Sequence, residues 1–144
     1  MTMKSSLRDE EIRKMSTDIS RQLLSDLSVK GSEHCDIFID EYLSSPENYD
    51  HKDAPRRHGF IDIGMLTGPE MMCALISAAV VEVAKYFFSE VNGNIATMNK
   101  TEKVETLSAR FSDEAIKMGL TPLQVDHLAK KFSEVLCVNP FLNP

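Results

Sequence analysis

PEMMCALISAAVVEVAKYFFSE, residues 69–90, is the stretch whose reading decides the fold. Between Met71 and Val81 only Ser77 is polar, so a helix made of this segment has no wet side over its first half. Pro69 suits a first helical position, where it loses no hydrogen bond and presets φ. Glu70 then stands where the helix dipole favours an anion. Further on, Glu82, Lys85 and Ser89 share one narrow face, and there the second half is expected to surface. Those two charges, and the shortness of the uninterrupted apolar run, argue against insertion in a membrane. The segment reads as a buried central helix that the rest of the chain must wrap.

Composition agrees with that demand. A chain of 144 residues with 42% hydrophobic content suits a single helical domain, residues 1–144, with a substantial core. A net charge of −6 speaks against holding nucleic acid or anionic lipid by bulk electrostatics. Cys35, Cys73 and Cys137 are odd in number, widely spaced and set among apolar residues. All three are expected on apolar helix faces as buried, reduced thiols, which implies a reducing compartment. The first residues, MTMKSSLRDEE, contain no apolar run of the secretory kind, so the expected location is cytoplasmic.

Upstream of the central helix, residues 1–6 are expected to fray, with Ser5 or Ser6 as an N-cap. Ile12, Met15, Ile19, Leu23 and Leu27 then recur at helical spacing, and Leu24 widens the stripe. Arg13, Lys14, Asp18, Arg21 and Asp26 fall opposite, and the helix should end near Val29 and Lys30, before Gly31. Ser32 can cap a second helix with Cys35, Phe38, Ile39, Tyr42 and Leu43 inward and Asp36, Asp40 and Glu41 outward. Residues 44–68 form an irregular crossover, rich in Pro, Gly and His, in which GFIDIG should lie extended against the bundle.

Downstream, Asn92–Gly93–Asn94 is a break. A fourth helix opens at Lys100 or Thr101 and turns Val104, Leu107, Phe111, Ala115 and Met118 inward, until Gly119 stops it. Thr121 and Gln124 form a capping box with Pro122 between them. The fifth helix buries Val125, Leu128, Phe132, Val135 and Leu136, ends at Asn139–Pro140, and leaves Phe141 and Leu142 to fold back. The fold expected is all-α: a single-domain bundle of about five helices around helix 69–90.

Two groups of residues are candidate sites. His51, Asp53, Arg56, Arg57 and His58 lie in the crossover, where guanidinium forks suit a phosphate, a carboxylate or an acidic partner. Carboxylates and imidazoles also occur there, within residues 50–62, but only His58 and Asp62 stand at the i, i+4 spacing of a helical metal site, in a stretch without helical periodicity, and the arginines would repel a cation. No metal or cofactor is expected.

The second group follows Ala115, Gly119, Thr121, Val125 and Leu128, whose spacing over residues 111–128 resembles the helix-turn-helix of DNA-binding proteins. The resemblance implies a regulator using residues 111–137, with Thr121, Gln124, His127, Lys130 and Lys131 as the contacting side chains. Charge opposes it: residues 101–144 carry five basic and six acidic groups (5 − 6 = −1), too few to neutralise phosphates. For nucleophilic catalysis the sequence offers no paired nucleophile and base, and no phosphate-binding glycine motif. The expectation is a small cytosolic protein-protein interaction protein, adaptor-like, chaperone-like or inhibitory, homodimeric and non-catalytic. A DNA-binding regulator and a ligand-binding or enzymatic domain using the His/Arg loop are the alternatives.

Overall fold

Apolar spacing, caps and breaks set five helices among the described residues. The computed structural model describes residues 2–27, 35–44, 68–90, 97–139 and 142, all helix or short connection and without strand among them. The helices are α1 (Thr2–Asp26), α2 (Cys35–Ser44), α3 (Gly68–Glu90), α4 (Lys100–Lys117) and α5 (Pro122–Val138). Of the expected crossover 44–68, Ser44 ends α2 and Gly68 opens α3; residues 45–67 lie outside the described residues, as do Ser32, Phe141 and the expected C-terminal end of α1.

α3 lies against α1, α2 and α4, while α5 pairs with α4 and also meets α1. Every residue from Cys73 to Val81 is buried, with Ala78 and Val80 fully inaccessible. The inward residues expected of α4 and α5 are likewise buried, and Leu142 folds back onto the same core. The membrane question has a direct structural counterpart. Met71–Ser89 is long and apolar enough to cross a bilayer, yet 67% of that stretch is buried inside the bundle.

α1 starts at Thr2, upstream of Ser5 and Ser6, so neither serine is the cap. Its inner face carries Ser16 and Ser20 beside the apolar stripe, both inaccessible; Ser77 is equally buried on α3. These three hydroxyls have no hydrogen-bond partner among the described residues. Small side chains let helix backbones approach closely, and the gain is packing, set against about 1–3 kcal/mol for each undersatisfied hydroxyl. In a helix, the carbonyl four residues back is the nearest alternative acceptor for each.

α4 opens with a capping box: Asn99 accepts from the Glu102 amide while Glu102 accepts from the Asn99 amide. It ends at Met118 with Gly119 at φ 102°, a left-handed value that glycine meets without steric cost. The Gly119 amide donates to Ile116 O and the Leu120 amide to Ala115 O, the paired bonds of a Schellman stop. Thr121 and Gln124 then close the second capping box, with Pro122 inside it.

The second half of α3 surfaces along its polar stripe, and that stripe holds neighbouring helices. Tyr42 of α2 donates its hydroxyl to Glu82, which Lys85 also meets at 3.2 Å. Arg110 of α4 stacks its guanidinium 4.7 Å from the Tyr86 ring centre. One expectation for α2 fails: Glu41, assigned to its wet side, is buried at 8% exposure, whereas Ile37 is 47% exposed. α2 is only ten residues long and lies between α1 and α3, so two packing directions cover more of its surface than one apolar stripe indicates.

Replacing Val80 with Asp puts a carboxylate at a fully inaccessible position, at a cost of several kcal/mol, comparable to the whole stability of a domain. Insoluble or unfolded protein is expected by circular dichroism. A soluble variant with an unchanged thermal midpoint would refute the central position of α3. Tyr42→Phe, which deletes only a hydroxyl bound to a carboxylate, should lower stability by about 1.5–3 kcal/mol in chemical denaturation.

Candidate functional site

The α4–α5 hairpin is built to be rigid. Phe111 and Phe132 stack with ring centres 4.3 Å apart and planes within 9° of each other. Ser133 donates its only hydroxyl proton to Ala129 O, so Ser108 is the donor in the 2.6 Å bond between Ser108 and Ser133. Ser108 lies nine residues before the end of α4 and Ser133 eleven after the start of α5 (117 − 108 = 9; 133 − 122 = 11), or about 14 and 17 Å of helix from the turn. Helices still in hydrogen-bond contact at those distances run nearly antiparallel. A DNA-binding helix-turn-helix instead opens its two helices to about 90–120°.

Side chains assigned to DNA contact have other roles or are simply exposed on the surface. Thr121 Oγ1 accepts from the Gln124 amide at 3.2 Å, and Gln124 Oε1 accepts from the Thr121 amide at 2.9 Å. Gln124 is thereby committed through its carbonyl oxygen to the cap, which a base-reading amide could not be. His127 and Lys130 are exposed, and Lys131 lies 3.7 Å from Glu134.

The outer side of α5 has an order that the sequence reading overlooked. Val125, Leu128, Phe132, Val135 and Leu136 hold the helix to the body. The exposed residues Leu123, His127, Lys130, Glu134 and Cys137 recur at alternating steps of four and three, the spacing of a coiled-coil contact stripe. Leu123 is 81% exposed at one end and Val138 is 75% exposed at the other. Ile116 is also exposed, at the end of α4. Cys137 corrects the expectation that all three thiols are buried: Cys35 and Cys73 are, but Cys137 is exposed. Successive helical residues differ by about 100°, so the position after Leu136 turns away from the core. The signal was legible in the 123–127–130–134–137 spacing, which a search for apolar residues alone passes over.

Elsewhere the polar chemistry is committed. Arg13 forms a two-pronged contact with Asp40, at 2.6 and 3.0 Å. It stands in a groove of about 680 Å³ along α1, whose carboxylates Glu10, Glu11, Asp18 and Asp36 are offset by Lys14 and Arg21. Burial pushes the Cys35 thiol up, against the opposing pull of nearby Arg21, so the thiolate is disfavoured. Glu114, buried on α4, lies 3.5 Å from Arg110 and 3.6 Å from Lys117. Among the described residues no three His, Cys, Asp or Glu side chains gather closely enough to hold a metal ion. His51, Asp53, Arg56, Arg57 and His58 lie outside the described residues.

Duplex DNA should not bind at moderate salt, because the α4–α5 unit lacks phosphate-neutralising charge. A gel shift with genomic fragments checks this. A salt-sensitive complex weakened by Gln124→Ala and Lys131→Ala would reverse the assignment.

When the chain is compared with known proteins, no family model, no curated protein and no solved structure matches it.

Proposed function

We propose that this chain is a small, non-catalytic protein-protein interaction protein whose docking surface is the outer face of α5. The observation that carries this reading is the exposed stripe from Leu123 to Cys137, with Leu123 and Val138 standing out at its two ends. A single exposed leucine is ordinary on a soluble surface. Here Leu123 begins a helix-long stripe at coiled-coil spacing, on a helix whose other side is fixed to the bundle by stacked aromatics and a serine pair. Rigid mounting lowers the ordering cost of association. Apolar ends with charged residues between them offer both burial and discrimination among partners. The adaptor-like, chaperone-like and inhibitory roles all use such a face.

Affinity capture of the tagged full chain from its native host, read by mass spectrometry, tests the proposal. Leu123→Glu should reduce recovery of the main partner at least several-fold. Its thermal midpoint should stay nearly unchanged, because surface substitutions cost within about 0.5 kcal/mol. Equal recovery with Leu123→Glu would exclude this face. If the double change Arg56→Ala and Arg57→Ala abolishes capture while Leu123→Glu does not, the crossover is the interface instead.

A further inference from the structure

We propose that a second copy of this chain occupies the α5 face, its α5 antiparallel to the first about a two-fold axis near Lys130. The inference rests on the docking reading of α5 given above and names the occupant. It follows from the order of the exposed residues: an apolar end at Leu123, then His127, Lys130 and Glu134, then Cys137 and Val138. Laid parallel and in register, two such stripes set histidine on histidine, lysine on lysine and glutamate on glutamate. Laid antiparallel, Leu123 of one copy meets Cys137 and Val138 of the other, and His127 meets Glu134. The same surface serves both subunits, as a two-fold contact requires.

Lys130 falls next to the axis, where two ammonium groups would face each other. In this arrangement Glu134 of the second copy sits opposite His127, three positions from Lys130, which is about 4.5 Å along the helix. A lysine side chain spans that distance and turns the repulsion into two symmetric cross-pairs. Within one chain Glu134 leans toward Lys131 at 3.7 Å. A carboxylate has two oxygens and accepts a second ammonium without releasing the first.

The stripe from Leu123 to Val138 is about 22 Å long. One helix pair of that length buries less than the roughly 1,200–2,000 Å² of a standard stable interface. The dimer is therefore weak, concentration-dependent and, with ion pairs at its centre, sensitive to salt.

Sedimentation equilibrium on the full chain at several concentrations tests this. The wild type should show a reversible monomer–dimer equilibrium that weakens as salt rises from about 50 to 500 mM. Lys130→Glu and Glu134→Lys, each alone, should raise the dissociation constant about ten-fold or more by setting like charges across the axis. An equimolar mixture of the two variants should restore the dimer, since each heterodimer regains both attractive cross-pairs. Both positions are exposed, so circular dichroism and thermal midpoint should match the wild type. A wild type that remains monomeric, a dimer that neither single variant weakens, or a mixture that fails to recover would each overturn the proposal. If the wild type is monomeric while Leu123→Glu still abolishes capture of a host protein, the second-copy assignment fails and the docking reading survives.

Discussion

Burial of the first half of α3, Cys73 to Val81, on every side is the constraint on which the rest of the structure depends. From Cys73 to Val81 the helix has no residue that prefers water on either side except Ser77, and all nine positions are buried. Each fully buried valine, leucine or isoleucine contributes about 1.5–3 kcal/mol relative to exposure. That gain is available only if helices lie on every side at once. α1, α2 and α4 supply this cover directly, and α5 continues the wall between α4 and α1. The amphipathic patterns of the outer helices are complementary to a partner that has no preferred face of its own.

Close packing of side chains resists sliding of one apolar helix on another, and the polar stripe in the second half of α3 adds directional contacts that favour one register. Glu82 takes the hydroxyl of Tyr42, and Lys85 lies beside both the carboxylate and the Tyr42 ring. On the α4 side, Tyr86 receives Arg110 over its face. A guanidinium on an aromatic ring gains about 0.5–2 kcal/mol depending on exposure, but only at one relative position of the two helices. Placed near the end of α3 that emerges from the core, these contacts set the alignment of α2 and α4 where water is close enough to limit the desolvation cost.

α5 is the helix with the least direct contact with α3, and its outer side is open. Its inner side is fixed through α4 by a stacked phenylalanine pair and a serine hydrogen bond. The capping box at its start consumes Thr121 and the Gln124 carbonyl, so the polar residues nearest the turn already serve local structure. What remains outward is a mixed stripe at coiled-coil spacing, suited to another helix.

Much of the architecture was legible in the sequence by itself. Five helices, the central place of residues 69–90, the glycine stop at Gly119 and the capping box at Thr121 all follow from local chemistry, which acts within one or two turns. Asn99 and Glu102 carried the same capping signal and could have been read the same way. Tertiary structure alone decided what depends on the arrangement of two or more helices. Glu41 is buried because α2 is held between α1 and α3, and Ser16 and Ser20 are sealed where α1 packs into the core, although their hydroxyls gain no partner among the described residues. The exposure of Cys137, by contrast, follows from helical spacing, which puts it outside the stripe of Val125, Leu128, Phe132, Val135 and Leu136. Helical periodicity says which residues share a face; only packing says which faces meet.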